Sequence, residues 1–108
     1  MRPPPKAIAV VIPSWNSLSL LPRCLDSLVS QGAELELMVV DNGSRDGSVA
    51  YLTERGVPHV SLPGNVGFAA AVNLGAREVS AAAILALNAD TALEPGCAGR
   101  LLDGLEAD

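Results

Sequence analysis

AIAVVIPSWN, residues 7–16, sets the frame for the whole chain. Ala7 to Ile12 is an unbroken apolar run rich in β-branched side chains, which reads as a buried strand stopped by Pro13. Pro13-Ser14-Trp15-Asn16 then turns polar. From Ser17 to Gly32 the pattern changes period: Leu21, Cys24, Leu25, Leu28 and Val29 fall at helical spacing and form one apolar stripe. Pro22 is tolerated in a first turn, and Gly32 suits a C-terminal cap.

The same alternation continues outward. Leu35 to Val40 (LELMVV) reads as a second strand. Ser44 or Asp46 can cap a second helix that runs to Arg55 and closes at Gly56. Val57 to Leu62 is a weaker strand, and Pro58 places it at an edge. Gly67 to Val79 reads as a third helix, with Phe68, Ala71, Val72, Gly75, Ala76 and Val79 on one face. Several of these are small, so the helix can pack close to a sheet. Ala82 to Leu87 (AAILAL) is a fourth strand, apolar throughout, and Leu101, Leu102 and Leu105 mark a short helix after Pro95.

Four strands alternating with helices predict an α/β fold: a three-layer, Rossmann-like parallel sheet built from right-handed crossovers. The simplest strand order is 3-2-1-4. Continuous apolar strands fit a sheet covered on both faces. The order switches direction between strands one and four, and such sheets bind ligands beyond the carboxyl ends of their strands at that switch.

Each strand end supplies a polar cluster: Pro13 to Asn16, Asp41 to Ser44, Gly64 to Gly67, and Asn88 to Thr91. Any one of them could be ordinary turn chemistry, but the topology sends all four to one sheet edge. The first carries neither the G-x-G-x-x-G of a dinucleotide fold nor a P-loop. Asp41 could accept hydrogen bonds from a ribose hydroxyl or a base N–H, or it could cap the next helix. Asn88 and Asp90 could present hard oxygens to Mg²⁺ or Mn²⁺ with substrate phosphates completing the shell; Asp90-Thr91 could equally cap the next helix. His59 reads as an edge histidine, and one histidine assembles no Ser/His/Asp or Cys/His site.

The composition narrows the classes further. A formal charge of −5 opposes nucleic-acid binding, which needs a basic patch. With hydrophobic residues at 49%, disorder is not expected. Cys24 and Cys97 sit in apolar patterns and read as buried free thiols rather than a disulfide. No apolar run approaches the roughly 20 residues of a membrane span. Residues 1–6 read as a flexible tail, 7–108 as one domain, and a cytoplasmic location, extending to the inner face of a membrane, fits best.

Taken together the motifs resemble family 2 glycosyltransferases of the GT-A fold, in the rhamnosyltransferase-like branch. The resemblance rests on Val10 to Asn16 (VVIPSWN), Leu21 to Leu28 (LPRCLDSL), Val39 to Ser48 (VVDNGSRDGS), Asn65 to Gly75 (NVGFAAAVNLG) and Leu87 to Thr91 (LNADT). It covers nearly the whole chain, in the family's order. It implies a nucleotide-diphosphate sugar as donor, inverting transfer to an acceptor hydroxyl, and Mg²⁺ or Mn²⁺ as cofactor. A carbohydrate or lipid-linked acceptor and a place in cell-wall or polysaccharide synthesis are implied by the same resemblance.

By the same resemblance, Pro13, Ser14, Trp15, Asn16, Asp41, Asn65, Gly67, Asn73 and Asn88 contribute to the nucleotide pocket, and Asp90 holds the metal. Asn88 stands where the family's D-x-D motif often has its first Asp. The catalytic base is expected beyond Asp108, so the chain is expected to be a donor-binding half, inactive in transfer by itself. A non-catalytic nucleotide-sugar-binding module and a structural fragment are the alternatives. The fourth strand, uncharged and free of proline, is expected to be an open edge that favours a homodimer.

Overall fold

The computed structural model of the chain describes residues 8–31 and 34–106. Strands and helices alternate: β1 (Ile8–Ser14), α1 (Leu21–Val29), β2 (Leu35–Asp41), α2 (Ser48–Arg55), β3 (His59–Ser61), α3 (Phe68–Arg77), β4 (Ala83–Ala86) and α4 (Cys97–Glu106). The four strands are all parallel and lie in the order β3-β2-β1-β4, as the alternation predicts.

β1 is buried along its whole length, and its period-two alternation feeds two separate cores. Val10 and Ile12 pack with Leu21, Cys24, Leu25 and Leu28 of α1 and with Leu52 of α2. Val11 points the other way and packs with Val40 and with Ala71 of α3. The crossovers through α1 and α2 advance in one direction across the sheet and the crossover through α3 returns. Right-handedness then puts α3 on the opposite face. Leu21, Leu25 and Leu52 are fully buried, and each contributes about 1.5–3 kcal/mol.

The expected close approach of the third helix is met at Gly75. A Cβ there would lie 2.5 Å from Val11 Cγ1 and 2.9 Å from Val40 Cγ2. At the other expected glycine, Gly56 closes α2 in the left-handed region with φ 74°, its N–H reaching the carbonyls of Leu52 and Thr53.

Several boundaries differ from the sequence expectation, each for a local reason. β1 does not stop at Pro13 but runs through it to Ser14. The last hydrogen bond between β1 and β4 goes from Leu87 N to Val11 O, while Ser14 O accepts from Asn42 N on the β2 side. Pro13 therefore points its missing N–H where β4 has already departed. α1 begins at Leu21 rather than Ser17, because Leu20 N and Leu21 N both fold back onto Ser17 O in a preceding turn. Val29 leaves the stripe and is 78% exposed. Phe68 is also exposed at the start of α3, where only Ala71 and Gly75 are buried.

β3 shortens to three residues, and Pro58 contributes its carbonyl to Val39 N. β4 is not covered on both faces: Ile84 and Ala86 are exposed on the α3 side, since α3 lies over β1 and β2. Cys24 is buried as expected, Cys97 only partly, and both thiols are free. Leu101 is exposed on α4. The expectations for Gly32, the residue 1–6 tail, Asp108 and the side chains of Leu102 and Leu105 lie outside the described residues.

Candidate functional site

The loops at the carboxyl ends of the strands are tied into one another by side chain to backbone hydrogen bonds. Asn16, at φ 48°, accepts at its Oδ1 from Arg45 N (2.8 Å), while its own N–H donates to Ser44 Oγ (2.8 Å). Leu18 N donates to Asp46 Oδ2 (2.9 Å), and the other oxygen of Asp46 accepts from Ser48 N (3.1 Å) and Ser48 Oγ (2.5 Å). Asp46 thus holds the loop after β1 and the first turn of α2 with one carboxylate. The hydrogen bond from Ser48, helped by those from the Leu18 and Ser48 N–H groups, lowers its pKa below the ordinary 3.8 despite some opposing desolvation. Neither of the two cap candidates is the N-cap residue, a place taken by Gly47 without a side-chain bond; Asp46, one residue earlier, accepts from Ser48 at the first turn, and Ser44 is engaged with Asn16.

A second tie joins the loops after β2 and β3. Val66 N donates to Asn42 Oδ1 (3.3 Å), and Asn42 Nδ2 donates to Gly67 O (3.5 Å). Gly43 has φ 83°, and a Cβ on it would lie 2.8 Å from Gly64 Cα. The glycine in Asp41-Asn42-Gly43-Ser44 is therefore required both by its backbone angle and by the passage of a neighbouring main chain.

Asp41 and Ser14 face each other in register at the ends of β2 and β1. Both are essentially inaccessible, at 0% and 1% exposure. Asp41 Oδ2 accepts from Ser44 N (2.8 Å), which makes it the carboxylate of a turn. It caps no helix, because α2 starts at Ser48. Among the described residues, Asp41 Oδ1 and Ser14 Oγ have no hydrogen-bond partner. Buried polar atoms are rarely left so.

An open cavity of about 370 Å³ lies at the switch between β1 and β4, lined by Pro13, Trp15, Ser17, Leu20, Asn88, Ala89 and Asp90. Trp15 is 54% exposed and offers an indole wall. Asn88 and Asp90 are exposed on the β4 side. By spacing, Asp90 stands between ligand and helix cap; α4 begins only at Cys97, so Asp90 caps no helix. Thr91 N folds back to Asn88 O (3.0 Å) and forms a short turn with Asp90 at its tip. Beneath it, burial first and the Asp90 charge second push the Cys24 thiol up to about 11, which keeps it protonated.

The structure thus brings Pro13, Trp15, Asn88 and Asp90 to one cavity, with Ser14 and Asp41 buried at the ends of β1 and β2 and Asn16 spent on the loop tie. Asn65, Gly67 and Asn73 do not line it. Asn65 Oδ1 accepts from Gly67 N (2.8 Å), and Asn73 is exposed on α3. His59, as expected of an edge residue, sits on β3 with Nδ1 2.7 Å from Val57 O. Ser17 and Leu20 line the cavity although no sequence motif marks them for it, while Ala89 belongs to the Asn88 to Thr91 cluster. The spacing Asp46-x-Ser48 signals the helix-end role of Asp46, but its reach to Leu18 leaves no local trace in the sequence.

The described residues contain no group of three or more His, Cys, Asp or Glu able to hold a cation by themselves. What they offer is one exposed carboxylate, Asp90, and a neighbouring amide, Asn88. That donor set fits a cation of the Mg²⁺ type, which keeps several waters and takes its remaining ligands from substrate phosphates.

Sheet order, a cavity at the switch point and an acidic β4 end define a GT-A, Rossmann-like α/β domain. Residues 9–108 match Glycosyl transferase family 2, and the chain belongs to that family. A curated relative is the undecaprenyl-phosphate 4-deoxy-4-formamido-L-arabinose transferase of Klebsiella pneumoniae strain 342. It is 32% identical over 111 residues, covering 94% of this chain and 34% of the relative. The S. aureus TarS structure in complex with UDP-GlcNAc superposes with a TM-score of 0.84 at 18% identity, over 93% of this chain and 31% of that one. The mannosyltransferase PcManGT from Pyrobaculum calidifontis, solved with GDP-Man and Mn²⁺, gives 0.82 at 21% identity, over 94% and 32%. The chain therefore spans about a third of the length of the relatives it matches.

Proposed function

We propose that this chain is the donor-binding part of a sugar-nucleotide-dependent glycosyltransferase, and that the cavity between Trp15 and Asp90 receives the nucleotide diphosphate. The observation that carries the reading is the convergence of Trp15, Asn88 and Asp90 on one cavity at the sheet's switch point. Trp15 provides a flat face for a base or sugar. Asp90, with Asn88 beside it, would hold Mg²⁺ or Mn²⁺ against the diphosphate; the ion supplies positive charge that stabilises the departing phosphate. Asp41 would accept from the base or ribose through its free Oδ1, and because its side chain is fully buried, that contact requires the Asp41–Ser44 turn to open. Ser14, Asn16, Asn65, Gly67 and Asn73 complete the proposed nucleotide contacts as the resemblance implies.

The reaction class proposed for the whole protein is inverting transfer to an acceptor hydroxyl, assisted by a carboxylate base. Asp90 is the only carboxylate lining the cavity, so no base is assigned among the described residues. A second reading comes from the curated relatives, whose names carry undecaprenyl phosphate. A phosphate acceptor is already ionised near neutral pH, its second pKa being about 6, and would need no such base. Neither relative is named a rhamnosyltransferase, so the proposal commits to a nucleotide sugar without committing to rhamnose. No described helix is long and apolar enough to cross a membrane. A lipid-linked acceptor would be met at a membrane face, in keeping with the proposed cytoplasmic, inner-face placement.

Calorimetry with a panel of nucleoside diphosphates, first without metal, tests the donor site. Binding that weakens in Asp41→Ala without metal supports the nucleoside contact; a loss confined to metal-dependent binding refutes it. Absence of binding to every nucleotide, with and without metal, would leave the structural-fragment reading.

A further inference from the structure

The segment between β4 and α4, which carries Asp90, lies along one line of α1. Cys24 Sγ sits 4.0 Å from Asn88 O. Leu28 comes four residues later, in the core cluster that Leu93 packs against. Three residues further on, just past the helix end, is Gln31, only 3% exposed. Gln31 Nε2 donates to Ser27 O (2.8 Å) within its own turn and to Glu94 O (2.9 Å) across the gap. Its Oε1 accepts from Ala98 N (2.8 Å). Ala98 is the second residue of α4, where a backbone N–H has no intrahelical partner. The Gln31 side chain is what satisfies it.

We infer that Gln31 is a positioning residue for Asp90: it clamps the distal end of the Asn88–Ala98 segment to α1 and so fixes Asp90 on the cavity rim beside Trp15. This rests on the metal role proposed for Asp90. The clamp uses both functions of the amide, donor to Glu94 O and acceptor from Ala98 N. A glutamate can accept from Ala98 but sets a carboxylate against the Glu94 carbonyl. A leucine offers neither bond. With the clamp gone, Ala89 and Leu93 still anchor the segment by packing, but among the described residues no hydrogen bond then fixes its distal end to α1.

Trp15 is the only tryptophan in the chain and lines the same cavity as Asp90, so paramagnetic Mn²⁺ bound there quenches its fluorescence. The experiment titrates Mn²⁺ into wild type, Gln31→Glu and Gln31→Leu, each saturated with UDP or GDP, whichever wild type binds more tightly. Nucleotide affinity without metal is measured alongside. The expected result is Mn²⁺ affinity weakened about 10–100-fold in both variants, with metal-free nucleotide affinity unchanged; a general loss of structure would lower both. Folded variants that keep wild-type Mn²⁺ affinity overturn the positioning role. A wild type without any Mn²⁺ effect overturns the metal reading itself, and the two failures are thereby told apart. Amide exchange on wild type keeps the clamp testable if both variants fail to fold: the Ala98 N–H must be protected, and exchange as fast as in an open loop overturns the clamp.

Discussion

Ser14 and Asp41 are register partners at the carboxyl ends of adjacent parallel strands, and each keeps one fully buried oxygen without a hydrogen-bond partner among the described residues. Removing an unpaired buried hydroxyl relieves a desolvation cost rather than breaking a bond. Ser14→Ala is therefore expected to leave the melting temperature unchanged or to raise it by the equivalent of up to about 1 kcal/mol. If the free oxygens serve the nucleotide, the same variant weakens nucleoside diphosphate binding. A thermal melt paired with calorimetry checks both; a marked drop in stability would mean that Ser14 Oγ has a partner after all.

Gly75→Ala is expected to destabilise the domain by about 1–3 kcal/mol, the usual range for overpacking. The new methyl would meet Val11 Cγ1 and Val40 Cγ2, at 2.5 and 2.9 Å, and both valines are fully buried. Helix propensity alone would favour alanine by roughly 0.8–1 kcal/mol, so the sign of the change in denaturant midpoint decides which effect wins.

Asp46→Ala is expected to lower stability at neutral pH through the loss of its bonds to Leu18 N and Ser48, at about 1 kcal/mol per bond. The folded-state pKa of Asp46 lies below its ordinary 3.8. Its ionised form thus adds stability that is complete above the unfolded value and disappears as pH falls through the lower, folded value. Melts of both proteins as a function of pH should show a gap that is constant near neutrality and narrows as pH falls below about 3.8. A gap that widens in acid would contradict the assignment.

Among the described residues β4 leaves its outer edge unpaired, and Ile84, 44% exposed, adjoins a mainly apolar groove with Leu101 and Ile8. A second copy pairing along this edge is the expected consequence. Sedimentation over a wide concentration range should show self-association of the wild type that Ile84→Lys reduces. Because Ile84 is already half exposed, the lysine should not unfold the domain. A monomer at every concentration would show that the edge and groove are closed to a second copy.

The strand order was legible because four apolar runs alternate with amphipathic ones, and parallel crossovers allow few arrangements of such a pattern. Boundaries were less so. Pro13 looks like a stop until β4 is seen to leave β1 before it, and Val29 looks like core until α1 is seen to face away there. At the site, the clusters after β1 and β4 line one cavity, whereas those after β2 and β3 are tied to neighbouring loops. The division of labour within the clusters was not legible. Asn16 and Asp46 spend their hydrogen bonds on loops nearly thirty residues away, and Gln31 reaches a segment more than sixty residues on. Pairings at such separations leave no periodicity to read. Asp90 could be ligand or cap by spacing, and only the late start of α4 removed the second option.

In the proposed function, Asp90 brings a divalent cation to a nucleotide diphosphate in the cavity walled by Trp15. The most direct measurement is calorimetric titration of wild type and Asp90→Asn with a nucleoside diphosphate, with and without Mn²⁺. Asparagine keeps the shape of the exposed side chain and removes its charge. Mn²⁺ is expected to tighten binding to wild type, this tightening is expected to be abolished in Asp90→Asn, and metal-free affinity is expected to be the same in both. An equal Mn²⁺ enhancement in the variant would contradict the metal role of Asp90.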